Sequence, residues 1–354
     1  MSAMPARPGS PPSPSPQDEY EDLLSLWSDL ESALSVLLAQ PLRVQDFPLK
    51  LRQFDAWLQD LVEHDIDAAL YLMFQLASTS TVGYSASHAL VCGTLCHIMA
   101  HELQISPGER DSLVYAALTM NIGMTDLQNE LAQQRERPST AQREAIEGHP
   151  DASRALLERL HISDALWLNV VGQHHASVAD RVALARQKPE DRLTRILGTI
   201  DRYAAMISPR KSRPGRSVTD SVRAIAGQDV DPRDEVSHTL VHSIGLCPPG
   251  TFVKLDNGDT AIVLRRSDTT NHPLVASLLD SSGTHYGEPS LYQTEDGKPR
   301  IQSALARSAV DLELDHRTMV RLGLYAARNS AGLRGLITVP GSLWRRGRFD
   351  APRP

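Results

Sequence analysis

Residues 189–208 read PEDRLTRILGTIDRYAAMIS, and one carboxylate in that run decides how the chain is read. Pro189-Glu190 opens a helix that the apolar spacing carries through Ser208. Asp201 falls on one stripe with Leu197, Ala204 and Ala205. A carboxylate on a core-facing stripe is costly unless it is paired or bound to a cation. Working outward, residues 83–246 read as helix after helix. His88 is flanked at helical spacing by Tyr84, Val91, Cys92 and Leu95, which points it into the core. His97 and His101 lie about 180° and 220° further round at about 100° per residue, and are expected at the surface. Asn121 sits on a stripe with Val114, Ala117 and Leu118. His149-Pro150 marks a helix boundary, and His174-His175 is an adjacent pair near a helix end. Histidines and an aspartate on successive helices can converge on a metal ion, and such ligands suit Fe, Mn or Zn. The competing reading is a set of separate structural histidines, each hydrogen-bonded on its own.

Helix signals organise the rest of this region. Ser106-Pro107-Gly108-Glu109 has the form of a capping box and predicts a helix running to about Met124. Ser139 with Gln142 marks another start, and Ser163 is the expected cap of the helix that reaches His174. Upstream, Leu23, Leu24, Trp27, Leu30, Leu34, Leu37 and Leu38 form a helical stripe, interrupted by Pro41 and Pro48. Leu51, Phe54, Leu58 and Leu61 form a second, and Ile66–Ala77 predicts a third helix. These N-terminal helices are expected either to pack on the main region or to form a homodimer or partner surface. After Gly245 the character changes. Thr251–Leu255 and Thr260–Arg265, joined through Asp256-Asn257-Gly258-Asp259, carry a strong hairpin signal, and Leu274–Leu279 predicts a third strand.

The expected architecture is mainly α: a helical bundle with N-terminal helices and a small C-terminal β hairpin or meander. Its divisions are a Pro/Ser-rich disordered tail at 1–17, a helical region at 18–82, the central domain at 83–246 and a β extension at 247–300. A mixed segment follows at 301–354, whose basic end (Arg345, Arg346, Arg348, Arg353) is expected to be mobile.

Composition sets bounds on partners. The 354 residues are 41% hydrophobic and 22% charged, ordinary for a globular protein, and the net charge of −7 gives no general attraction to nucleic acid or acidic membranes. No stretch approaches the roughly 20 apolar residues of a membrane span. The start, MSAMPARPGSPPSPSP, lacks the apolar run of a secretory signal. Three cysteines in so long a chain fit a reducing cytoplasm rather than a disulfide framework. Cys92 and Cys96, four apart on a helix, are read as core packing.

The order of these residues resembles bacterial HD-GYP domains, metal-dependent phosphodiesterases of cyclic di-GMP, over about residues 83–265. The matching positions are His88, Met120-Asn121-Ile122-Gly123-Met124, His149-Pro150, His174-His175-Ala176, Asp201, and Ser208-Pro209-Arg210-Lys211-Ser212-Arg213. The segment Pro248–Gly258 also looks like the extension that follows many such domains. The resemblance implies an HD-type bundle, with His149, His174 and His175 at one metal position and His88 and Asp201 at the other. It also implies that Arg210 and Arg213 contact a nucleotide phosphate; the plainer reading is a solvated basic loop.

The departures from the family pattern weigh against catalysis. Met120-Asn121 stands where the family has His-Asp, Met124 where it has Lys, Ala176 where it has Glu and Ala204 where a second Asp is common. The Gly-Tyr-Pro loop has no counterpart. Two divalent ions about 3.8 Å apart repel by about 17 kcal/mol at an effective dielectric of about 20, which bridging anions must offset. Neutral Asn121 supplies no such charge. The expectation is therefore a catalytically impaired regulator that binds a cyclic dinucleotide or a protein partner, holding at most one divalent transition metal or none. The alternative is a residual phosphohydrolase using a mononuclear site.

Overall fold

The computed structural model describes residues 16–79, 83–176, 182–212, 216–226, 234–267, 272–294, 299–329 and 336–337. The tail at 1–15, Arg213 and the basic end beyond 337 lie outside the described residues.

Several of the prolines and caps in the sequence mark helix ends. Helix α1 (Pro16–Ala39) stops before Pro41, and α2 (Phe47–His64) takes Pro48 in its first turn, where a missing N–H costs nothing. Helices α3 (Ile66–Thr79), α4 (Tyr84–Glu102), α5 (Pro107–Thr119), α6 (Thr125–Gln133), α7 (Thr140–Arg159), α8 (Ala165–Gln173) and α9 (Pro189–Ile207) follow, then α10 (Val218–Ala226) and α11 (Glu235–Ile244). At α7 the Ser139–Gln142 capping box forms, with both reciprocal bonds present. At α5 it does not: Ser106 makes no side-chain cap, and Glu109 reaches across to Arg192 of α9 instead. Nor does Ser163 cap α8. Asp164 does, accepting from Leu166 N and Trp167 N at 2.9 and 3.1 Å, while its other oxygen takes the Ser112 hydroxyl of α5 at 2.7 Å.

Helix α4 lies at the centre. It packs against α1, α2, α3, α5, α6, α9 and α11, and every residue from Tyr84 to Ala100 is buried. That overturns the expectation of a surface His97. A helix surrounded on all sides has no solvent face, so His97 is buried and its Nε2 meets Asp55 of α2 at 2.7 Å. His101, past the packed stretch, is exposed as expected. The N-terminal helices therefore pack on the main region: Leu23, Trp27, Leu30 and Leu34 of α1 join the same apolar core as α4, α5 and α9.

The helix predicted to reach Met124 ends at Thr119. Asn121 leaves helical geometry, and a 3-10 turn, Ile122–Met124, follows. Gly123 explains the position of that turn. A Cβ there would stand 2.7 Å from Ser153 N of α7, so only glycine allows the approach, and its own N–H donates to Ser153 Oγ at 3.0 Å.

The β region is larger than a hairpin. Strands β1 (Phe252–Leu255), β2 (Thr260–Arg265), β3 (Leu274–Leu279), β4 (His285–Gln293), β5 (Ile301–Leu305) and β6 (Leu336–Ile337) form one antiparallel sheet in the order β5-β1-β2-β3-β4-β6. Strand β5 pairs with β1, so the sheet continues past the expected limit at residue 300. Helix α12 (His316–Asn329) packs between this sheet and the N-terminal helices. Arg265 meets Asp65 at 2.7 Å and Arg266 meets Asp67 at 2.7 Å, tying β2 and the residue after it to the start of α3.

Candidate metal centre

Two clusters of candidate ligands form within the bundle: His149, His174 and His175, and His88, Cys92 and Asp201. Sequence reading placed His149 at a helix boundary. It sits inside α7 instead, with Pro150 in the helix interior. That proline has a local consequence. Lacking an N–H, Pro150 leaves the carbonyl of Ile146, four residues back, without its helical donor. The His149 Nδ1–H donates to that oxygen at 2.5 Å. His174 is the C-cap of α8, where carbonyls lack helical partners, and its Nδ1–H donates to Val171 O at 2.7 Å. Both rings thereby carry their proton on Nδ1 and present a bare Nε2. Those two Nε2 atoms lie 3.0 Å apart. The exposed His175 ring completes the group, 4.1 Å from the His174 ring and 5.1 Å from the His149 ring, centre to centre.

The electrostatics follow from burial. Desolvation, reinforced by His175, pulls His174 down to about 4. Desolvation also lowers His149, partly opposed by the bond to Ile146 O and aided by His175. At neutral pH both imidazoles are uncharged, so two lone pairs face each other at 3.0 Å. A cation between them removes that conflict. Tetrahedral zinc with bonds of about 2.0–2.1 Å to nitrogen places ligand nitrogens roughly 3.3–3.4 Å apart, so rings a few tenths of an ångström further apart would hold it. Nδ1–H bonds to backbone carbonyls are the usual outer support of a histidine ligand. The donor set fits one Zn, Fe or Mn ion.

The second cluster is built differently. His88 Nε2 meets Asp201 Oδ1 at 2.9 Å, and Cys92 Sγ lies 3.7 Å from the same nitrogen. Burial raises Asp201, but the hydrogen bond and charge of His88, with His174 and His175 beyond, win and hold it at about 2. His88 Nδ1 is buried and has no hydrogen-bond partner among the described residues. Gly198 brings the two clusters near each other. One turn before Asp201, it lets α9 press on the chain at His174, where a Cβ would stand 2.7 Å from the His174 carbonyl oxygen.

The positions where the sequence departs from the family pattern take ordinary structural places. Met120 is fully buried in the apolar core, and Asn121 is buried beside it. Met124 lines a cleft of about 730 Å³ between the Pro41–Arg43 turn and α7, with Leu38, Ile122, Ala152 and Leu156; none of the six candidate ligands lines it. Ala176 follows His175 at the end of the described stretch. Arg210 is partly buried. Its guanidinium lies 5.1 Å over the Tyr84 ring and donates to the Tyr84 hydroxyl at 3.2 and 3.3 Å, and Tyr84 in turn stacks on His88. Arg210 is thus near the second cluster but engaged with tyrosine.

Cys92 was read as core packing, and it is fully buried, yet its sulfur belongs to the second cluster. The available signal was its i, i+4 spacing from His88 on one helix face. No protein-family model matches the chain, and a search of curated proteins returns no match. No helix among the described residues is long and apolar enough to cross a membrane.

Proposed function

We propose that the chain is a degenerate HD-GYP-like protein: a catalytically impaired, metal-holding regulator in cyclic-dinucleotide signalling, acting by binding a nucleotide or protein partner. One observation carries the metal-holding part. Two neutral imidazoles, each committed by a backbone carbonyl to present Nε2, face each other at 3.0 Å with a third histidine alongside. Three histidines and a water make a familiar mononuclear set. The impaired part is supported by the residues beside it. Met120 is a core residue and a poor ligand for a hard ion, and Asn121 brings no charge to bridge a second ion. Without a bridged pair, positive charge is not placed on both the attacking and the leaving oxygen of a phosphodiester. Met124 brings no lysine charge to its cleft, which is lined by Leu38, Ile122 and Leu156 together with Arg43 and Asp126.

The test is elemental analysis of protein purified without chelator, joined to a cyclic di-GMP hydrolysis assay with added iron or manganese. The expected result is one tightly held transition metal per chain and negligible turnover. Metal-dependent cleavage in the wild type that is lost in His174→Ala would establish the residual mononuclear hydrolase instead. A chain that purifies without any ion and takes none up makes the three histidines structural.

A further inference from the structure

Exposed apolar side chains gather at one lip of the cleft beside Met124. Val36, 69% exposed, and Leu42, 54% exposed, are the two most exposed large apolar residues among those described. Val36 stands one turn before Ala39 and Gln40 on α1, and Ala39, Gln40 and Leu42 line the cleft. Apolar surface gathered in this way marks a contact with another molecule more often than apolar residues scattered singly do. The opposite wall is the outer face of α7, where Ala145, Gly148 and Ala152 follow one another at helical spacing. Glycine inside a helix is a poorer helix former than alanine. Nothing within the chain demands it here, since a Cβ on Gly148 would meet no atom within 4 Å. Gly123 on the same cleft is the contrast, because its packing on Ser153 requires glycine. The α7 wall is thus low and open, with room for a side chain arriving from outside.

Charge indicates what arrives. Arg43 and Asp126 both line the cleft, and neither has an ion-pair partner among the described residues. A partner surface of one sign would satisfy one of these charges and oppose the other. A second copy related by a two-fold axis satisfies both, because a two-fold contact is reciprocal: Arg43 of each copy meets Asp126 of the other. Shape agrees with charge. The same patch carries a projecting apolar side chain, Leu42, and the open space beside Gly148 that can receive one. We propose that the chain forms a two-fold dimer through this cleft. Leu42 of each copy enters the other's cleft beside Gly148, and Arg43 and Asp126 pair across the axis. The apolar contact supplies most of the affinity and the charge pairs set the register. None of the six candidate metal ligands lines the cleft, so the dimer stands or falls separately from metal binding.

Sedimentation velocity of the full chain, from low to high micromolar concentration, tests the proposal. The expected mass rises from 38.9 kDa toward twice that value. Leu42→Asp and Gly148→Leu should each raise the dimer dissociation constant at least about tenfold. The first changes an exposed side chain and the second fills open space, and circular dichroism checks that both stay folded. Arg43→Asp and Asp126→Arg should each weaken association by placing like charges across the axis. An equimolar mixture of those two variants should recover it as a heterodimer, because one chain brings two acids to the contact and the other two bases. A wild type that remains at 38.9 kDa throughout overturns the proposal and leaves the cleft to a different occupant. A dimer indifferent to Leu42→Asp and Gly148→Leu forms elsewhere on the surface and overturns it as well. A mixture that fails to recover association overturns the reciprocal two-fold arrangement.

Discussion

The histidines of the two clusters are held by opposite means. In the first, the backbone holds the rings: carbonyls of Ile146 and Val171 take the Nδ1 protons, and Nε2 is left open toward the neighbouring ring. In the second, a side chain holds the ring: Asp201 takes the Nε2 hydrogen of His88, the same atom a metal would need, and no described residue supports Nδ1. One cluster turns two ring nitrogens toward each other, while the other already pairs its ring nitrogen with its own acid. The lesson is that ligand identity and proximity do not by themselves make a metal site; the partner of the far ring nitrogen decides which state the site prefers.

The largest test of this contrast is affinity. His174→Ala should weaken binding of the tight ion by more than about 100-fold, since even losing a supporting partner outside the ligand set typically costs about 10–100-fold. His88→Ala should leave that affinity nearly unchanged, and equal losses in both variants, measured by competition with a chromophoric chelator, would erase the distinction. Next comes pH. In metal-free protein, His174 is neutral down to about 4 because burial and His175 disfavour its charge. The unfolded chain takes up that proton near pH 6.5, so this stability is complete above about 6.5 and falls by about 3 kcal/mol as pH drops to about 4. Denaturant melts across that range should show the slope, and His174→Gln should flatten it.

Gly198→Ala probes the junction. Its Cβ would meet a backbone oxygen at His174, for a cost of about 1–3 kcal/mol, with weakened binding in the first cluster. A thermal melt matching the wild type would mean that α9 and His174 shift apart easily. Met120→His with Asn121→Asp puts an imidazole at a fully buried position, and should cost about 1–2 kcal/mol without producing cyclic di-GMP turnover. Turnover in that variant would show that the two clusters need only a bridge to act together. The smallest effect belongs to residues 1–15, rich in proline and serine. Their removal should move the melting temperature by less than about 1 °C and leave both clusters unchanged.

Much of the fold was legible because its signals are local. The α1 and α2 stripes, the Ser139–Gln142 cap, Pro189 and the Asn257-Gly258 turn all act within a few residues of where they are read. His88, His149, His174, His175 and Asp201 stand out in the sequence as candidate ligands for the same local reason, and the bundle brings them into two clusters. What was not legible depends on neighbours distant in sequence. His97 was assigned to the surface because one helix face usually is; α2 covers that face and offers Asp55. Glu109 was read as a cap because Arg192, 83 residues on, was not visible as its partner. Cys92 looked apolar because a sulfur on a buried stripe ordinarily is, and only the approach of α9 makes it a donor beside Asp201. Strand β5 was missed because its partner, β1, lies before the three intervening strands.

The proline inside α7 has a kinetic meaning as well as a geometric one. Because Pro150 leaves Ile146 O open, the bond from His149 Nδ1–H to that oxygen fixes the orientation and tautomer of the ring. An ion leaving the proposed site would leave behind rings that need neither flip nor exchange protons between their nitrogens before another arrives. Exchange at the proposed site would then be governed by water leaving the incoming ion and by the small parting of two rings. In effect, one peptide nitrogen without a hydrogen serves as the site's memory of its loaded form.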